Sequence, residues 1–234
     1  VDPYYKKSFL QKTQLRLNGL KNLEDPFIIC NEEHRFIAAE QMREINIKPK
    51  KILLEPFGRN TAPAVTLAAL LALEEYSNPN LLILSADHEI KNIEKFLKVV
   101  EAGIDYSEND KLVTFGVIPK SPETGYGYIQ ADKPFDNEHL IASKIIKFTE
   151  KPNYETAKKF LNDRCFTWNS GIFLFKAKSI LKEIKKYQPQ IINYCQKSLI
   201  GNSLDLDFQR INKKYFERCP NISIDIAVME KTNK

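Results

Sequence analysis

The stretch Lys51–Asp87, KILLEPFGRNTAPAVTLAALLALEEYSNPNLLILSAD, decides the fold. It opens on a short apolar strand, Lys51–Glu55, and turns through a loop that contains Gly58 and Arg59. Thr61–Tyr76 then reads as a helix that is apolar almost all round, the pattern of a helix buried on every side. Asn60 or Thr61 caps such a helix, and Pro63 suits its first turn. Leu81–Ser85 follows as a continuous apolar run, as expected of a strand covered on both faces. Strand, helix and strand in this order form a βαβ unit, and in open α/β sheets the loops at the carboxyl ends of the strands hold ligands.

Working outward, the same alternation continues. Ser8–Leu20 reads as a helix, Pro26–Cys30 as a strand and Glu32–Ile45 as a helix. Asn92–Tyr106 places Ile93, Phe96, Leu97, Val100 and Ile104 on one helical face, and Leu112–Val117 reads as a buried strand. The second half changes character. Tyr126–Gln130, Ile141–Thr149 and Ile172–Phe175 read as strands between turns, followed by helices at Ala177–Tyr187, Pro189–Leu199 and Leu206–Arg218. No linker, repeat or low-complexity stretch interrupts the chain. The expectation is one α/β domain over residues 1–234, with a Rossmann-like, mixed but mainly parallel sheet and helices on both faces.

Composition narrows the function. The 234 residues are 43% hydrophobic, enough for a sizeable core, and no apolar run approaches the ~20 residues of a membrane helix. The four cysteines form no C-x-x-C pair, so reduced thiols in a cytoplasm are the plain reading. Net charge is +5 with the basic residues scattered, and the densest cluster, Lys48–Lys51, has no interleaved aromatic platform, which argues against nucleic acid. The eight glycines include only one close pair, Gly125 and Gly127, so no intact P-loop or dinucleotide fingerprint is present. The chain starts at Val1 without an initiator Met, and the expectation is a piece of something longer.

Six constellations carry candidate chemistry, the first four with a plain structural alternative. Glu55–Ala64 joins a strand to a helix; the alternative is a capped helix with a surface loop. Asp87 directly follows a strand, where one carboxylate anchors Mg²⁺ shared with substrate phosphates; the alternative is a helix cap. His88 reads as structural. Gly125-Tyr126-Gly127 lets a backbone approach a ligand or simply opens a strand. Glu150-Lys151 at a strand end offers an acceptor for sugar hydroxyls and an ammonium for phosphate, or an exposed ion pair. Trp168-Asn169-Ser170-Gly171 places an amide before a tight approach into a strand. Ser223-Ile224-Asp225 reads as an N-cap and helix start.

The order of these segments resembles a known family. EPFGRNTAPA, LSADH, TGYGYI, FTEKP, WNSGIFLF and SIDIAVMEK occur in that order in bacterial mannose-1-phosphate guanylyltransferases, several of which are fused to a mannose-6-phosphate isomerase domain. Ile29–Phe36 and Phe9–Leu20 match further family segments, so the resemblance spans nearly the whole chain. It implies a GT-A-like nucleotidyltransferase that joins GTP and α-D-mannose 1-phosphate into GDP-mannose and diphosphate with Mg²⁺. By the same resemblance Asp87 would hold Mg²⁺, and Arg59, Asn60 and Thr61 would lie on the nucleotide side. Gly127, Glu150 and Asn169 would hold the sugar and Lys151 its phosphate. Asp225 would shape the sugar side or only cap its helix.

The family also has a glycine-rich G-G-x-G-x-R segment before the part matched here and a W-x-D-x-G-x-W segment after it. With those outside this sequence, the expectation is little or no GDP-mannose from the 234 residues alone. A homo-oligomer and a complementing N-terminal fragment both stand as partner readings. The alternatives to the guanylyltransferase are a degenerate or split-gene product without catalysis, and a nucleotidyltransferase for another sugar 1-phosphate.

Overall fold

The computed structural model describes residues 7–135, 139–201, 203–205 and 207–233. A parallel ladder lies at one side of the molecule: β1 (Phe27–Asn31) pairs with β2 (Lys51–Glu55), and β2 with β9 (Phe208–Arg210). β8 (Ser203–Asp205) adds to β9 antiparallel. Alternation along β2 explains why this ladder is covered on both faces. Leu53 points into the main core, while Ile52 and Leu54 point the other way, against Phe208, Ile28, Cys30 and Ala39. Ala39 comes from α2 (Arg35–Glu44), which follows a 3-10 turn, Glu32–His34.

The main core gathers on α3 (Thr61–Glu75), the helix read as buried on all sides. Leu67, Ala69 and Leu71 are fully inaccessible. α6 (Ala177–Tyr187) and α7 (Pro189–Leu199) pack beside it, bringing Ile180, Ile184, Ile191 and Cys195 into the same cluster. The cluster takes Leu53 from β2 as well as Phe173 and Phe175 from β7 (Phe166–Lys176), so one helical layer serves both sheets. Cys195 and Cys219 lie side by side within it, sulfur atoms 4.0 Å apart.

β7 organises the second sheet. It pairs antiparallel with β3 (Asn80–Ile83), with β4 (Val113–Val117) and with β5 (Tyr128–Ala131), and β5 pairs antiparallel with β6 (Ile145–Thr149). The sheet content is therefore mixed: the parallel pairings belong to β1, β2 and β9, and those made through β7 are antiparallel. The remaining helices are α1 (Phe9–Leu15), α4 (Ile93–Glu108), α5 (Tyr154–Leu161) and α8 (Lys213–Phe216). No described helix is long and apolar enough to cross a membrane.

Several expectations are corrected. The span Leu206–Arg218 is not one helix. Phe208–Arg210 is a strand because its backbone meets the free edge of β2, and Asn212 starts a separate short helix by accepting from the Lys214 amide at 3.1 Å; Leu206 lies outside the described residues. The helix α5 is a further correction: its eight residues, YETAKKFL, are amphipathic but span only about two turns, too short a window to stand out in the sequence. Asn153 caps it through the Thr156 amide, and Phe160 anchors it by stacking on Phe166 at 4.0 Å. β7 begins at Phe166, six residues before the expected start, because residues 166–168 pair with β5. Leu81–Ser85 is not covered on both faces: β3 is half-buried throughout, and β7 is its only strand partner among the described residues. α1 stops at Leu15, short of the expected Leu20.

Gly116 sits at an irregularity of β4 where the strand comes close against β7, opposite Asn169. A Cβ there would overlap the Thr167 side chain, whereas one on Gly58 would meet nothing within 4 Å. Gly116→Ala is expected to destabilise by about 1–3 kcal/mol through overpacking, and Gly58→Ala by less than about 0.5 kcal/mol. Urea unfolding of the two variants checks this; equal midpoints would contradict the close β4–β7 approach.

Candidate functional site

The pairing of β7 creates a crevice. Trp168 pairs with Val117 of β4 and with Tyr128 of β5, and Leu174 pairs with Val113 of β4 and with Leu82 of β3. A residue has one partner on each edge, so β3 and β5 share one edge of β7, end to end, while β4 holds the other. The β3 pairing stops at Phe173 and the β5 pairing at Trp168. Between them Asn169–Ile172 has no ladder partner on that edge, although the Asn169 amide still donates to the Gly127 carbonyl at 2.8 Å. The chain leaving β3 must turn away here, and it carries Asp87. Asp87 lies four residues past Ile83 and Asn169 four before its partner Phe173, so the chain beyond β3 leaves the sheet at the gap that contains Asn169.

The residues expected on the sugar side converge at this gap. Gly127 is buried, and a Cβ on it would come within 2.7 Å of Glu150 Oε2 and 3.5 Å of Asn169 Cβ. A side chain at this position would push the Glu150 carboxylate aside. Glu150 Oε1 accepts from Lys151 Nζ at 2.7 Å, and this bond, aided by the Glu150 charge, raises the pKa of the Lys151 ammonium. Lys151 itself has φ 42°, a left-handed conformation that a long side chain seldom adopts. Asn169 Nδ2 donates to Asp225 Oδ1 at 2.7 Å, and Asn169 Oδ1 accepts from the Gly171 amide at 3.1 Å. Burial pushes the Asp225 carboxyl up, with Glu150 adding to the shift and Asn169 and Lys151 opposing it. Glu230, which sequence reasoning passed over, also feels Glu150 and Asp225.

The Glu55–Ala64 loop is built differently from the expectation in one respect: two of its polar side chains are already engaged. The Arg59 guanidinium donates to the Glu217 carbonyl and lies over the Phe57 ring at 4.9 Å. Thr61 Oγ1 accepts from the Ile224 amide at 2.9 Å. Asn60 is exposed. It caps α3 through the Thr61 amide at 2.9 Å and has φ 63° and ψ −170°. That backbone region is essentially reserved for glycine and costs about 1–3 kcal/mol for another residue. Glu55, at the carboxyl end of β2, has a buried Oε1 with no partner among the described residues, and desolvation raises its pKa to about 7.

Asp87 is not a helix cap: α4 is capped by Asn92, which accepts from the Lys95 amide at 2.9 Å. The Asp87 side chain is 83% exposed, with His88 Nε2 at 3.7 Å as its near neighbour. The His88 carbonyl accepts from Arg16, consistent with a structural place for that residue. Among the described residues no group of three or more His, Cys, Asp or Glu side chains is placed to hold a metal. Asp87 fits a single carboxylate contact to an ion whose other ligands are substrate phosphates and water.

A family model described as nucleotidyl transferase matches residues 1–215. The chain belongs to the nucleotidyl transferase family. Within it, the chain is 46% identical over 228 residues to a mannose-1-phosphate guanylyltransferase of Escherichia coli K12, covering 96% of this chain and 48% of that protein. It is 48% identical over 230 residues to one from Salmonella montevideo, covering 97% and 48%. The chain thus spans about half the length of the curated relatives it matches. Two crystal structures share its fold. One, from Helicobacter pylori and named a mannose-6-phosphate isomerase, has a TM-score of 0.85 and 31% identity, covering 97% of this chain and 86% of that one. The other, from Thermus thermophilus and named a mannose-1-phosphate geranyltransferase, has a TM-score of 0.78 and 30% identity, covering 96% and 62%.

Membership in the nucleotidyl transferase family makes the strained loop and the buried carboxylate worth testing separately. Asn60→Gly removes the unfavourable φ and keeps most of the cap, so it is expected to stabilise by up to about 1 kcal/mol, measured by thermal unfolding. The Glu55 carboxyl has a folded pKa raised above its unfolded value of 4.5. Its contribution to stability is present below that value and is lost as pH rises through about 7. Glu55→Gln should match wild type near pH 4.5 and exceed it at pH 8, by on the order of 2–3 kcal/mol. A pH-independent difference would refute the buried, unpaired carboxylate.

Proposed function

We propose that this chain forms the nucleotidyl-transfer site of a mannose-1-phosphate guanylyltransferase, which converts GTP and α-D-mannose 1-phosphate to GDP-mannose and diphosphate. The observation that carries this reading is the grouping of Gly127, Glu150, Lys151 and Asn169 at the gap in β7, from segments far apart in sequence. An acceptor carboxylate, an amide and an ammonium beside a glycine-lined approach suit the hydroxyls and phosphate of a sugar phosphate. The names of the sequence relatives supply the specific sugar and base.

In this reading a phosphate oxygen of the sugar phosphate attacks the α-phosphorus of GTP in line, the bond to the bridging oxygen breaks, and diphosphate departs. Glu150 and Asn169 hold sugar hydroxyls, and Lys151 neutralises the attacking phosphate. Asn60 and the backbone of the 55–61 loop lie on the nucleotide side, with Arg59 and Thr61 holding that loop in place. Asp87 would hold Mg²⁺, which when bound would supply charge neutralisation on the phosphates. The chain's own residues act by alignment and electrostatic complementarity, the main resources for this chemistry.

The test is diphosphate release by the full-length protein that contains this chain, given GTP with mannose 1-phosphate or glucose 1-phosphate. Mannose 1-phosphate should be strongly preferred. Lys151→Met should lower kcat/KM by roughly 10²–10³, the scale for removing one preorganised donor, and Glu150→Gln should raise the KM for the sugar phosphate more than that for GTP. Absence of GDP-mannose from the wild-type protein, or equal use of both sugars, refutes the assignment.

A further inference from the structure

The segment Ile222–Asp225 is bonded to both sides of the crevice. On the side of α3 the Ala62 amide donates to the Ile222 carbonyl at 3.2 Å, and the Ile224 amide donates to Thr61 Oγ1 at 2.9 Å. Ile224 is buried in the main core. One residue on, Asp225 Oδ1 receives Asn169 Nδ2 across the gap at 2.7 Å. The helical turn Asp225–Met229 does not need this carboxylate as its cap, because Ser223 Oγ already accepts from the Ile226 amide at 3.3 Å. Of the two roles open to Asp225 in the sequence, capping is therefore taken by Ser223.

The Asp225 contact settles which way the Asn169 amide faces. Its oxygen must sit toward the Gly171 amide, which is a donor only, and its nitrogen toward a carboxylate, which when ionised is an acceptor only. Turning the amide over would oppose donor to donor and acceptor to acceptor. Thr114 Oγ1, which donates to the Ile172 carbonyl at 3.2 Å, closes the oxygen side. The second N–H of Asn169 has no protein acceptor among the described residues.

We infer that Asp225 is a positioning residue for the sugar-phosphate side of the site: held by the α3 terminus through Ile222 and Ile224, it fixes the Asn169 amide with one N–H left to donate to an oxygen of the bound sugar. This rests on the guanylyltransferase reading above. Its charge sits among Glu150, Lys151 and Glu230. Removal of the carboxylate frees the amide to rotate, which weakens the grip on the sugar phosphate and leaves the nucleotide side unaltered.

The test uses the full-length protein containing this chain, with KM and kcat measured separately for mannose 1-phosphate and GTP. Asp225→Ala should reduce kcat/KM for mannose 1-phosphate by roughly 10- to 100-fold, as for loss of a hydrogen bond to a charged group, with the GTP KM within about twofold of wild type. Asp225→Asn, which keeps an acceptor oxygen, should recover most of the loss. Asp225→Ala and Asn169→Ala together should cost little more than Asn169→Ala alone, the mark of two residues acting as one. If Asp225→Ala does not fold, Asp225→Ser runs the same cycle, its hydroxyl too short to reach the amide. An active wild type in which the two substitutions add independently, or in which the sugar-phosphate KM is unmoved, overturns the inference. An inactive wild type overturns the functional reading itself.

Discussion

β7 has two hydrogen-bonding edges and three neighbouring strands, and the site follows from that mismatch. With β4 along one edge, β3 and β5 must divide the other. Two strands that meet end to end cannot both continue, so the chain after Ile83 peels away, and Tyr128 is approached through the tight Gly125–Gly127 turn. The backbone of Asn169–Ile172 is left without a strand partner on that edge. The Asn169, Gly171 and Ile172 amides donate instead to the Gly127 carbonyl and to nearby side chains, and this is where side chains from the loops can gather. Gly171, with φ 68°, lies inside the opening, so the strand bends there without steric cost. The crevice is thus a product of strand pairing before any functional side chain is placed in it.

The sequence was legible where burial was one-sided or complete. α3 and the middle of β2, Ile52–Leu54, are largely apolar, and their positions follow directly from the run of side chains. It was less legible where backbone pairing decided the structure. Phe208–Arg210 contains two polar residues in three, yet it is a strand because β2 offers a free edge. Trp168-Asn169-Ser170-Gly171 has no alternation, yet it belongs to the longest described strand because β4 pairs with Trp168 and Asn169. Of the expected site residues, Gly127, Glu150, Lys151 and Asn169 are brought together. Arg59 and Thr61 are near their expected loop but turned to internal partners, a distinction that residue type cannot convey. Glu230 and the bridging role of Ile222–Asp225 carry no local signal, since their partners lie up to 163 residues away.

Rigidity is distributed unevenly around the crevice. Positive φ values at Asn60 and Lys151 place one strained residue on each side, where side-chain and backbone direction are fixed by their surroundings. Three other non-glycine residues with positive φ, Asn22, Asn46 and Asp110, are of types that tolerate it easily. Lysine is not such a type, and its conformation turns the chain sharply just after Glu150. The ion pair between neighbours 150 and 151 is solvent-exposed and adds little stability of its own. Its value lies in the relative placement of the two groups.

The paired thiols in the core give the molecule a built-in clock for its own breathing. Cys195 and Cys219 are inaccessible, one on α7 and the other just after α8, while Cys30 and Cys165 are partly open to solvent. A thiol reagent can reach the buried pair only when the core around it opens, as when the corner formed by α7 and α8 lifts from α3. That corner includes Glu217, the residue whose carbonyl holds Arg59. The labelling rate of Cys195 and Cys219, relative to that of the accessible pair, therefore reports how often the loop beside the crevice loses its anchor, on a timescale that no static picture contains.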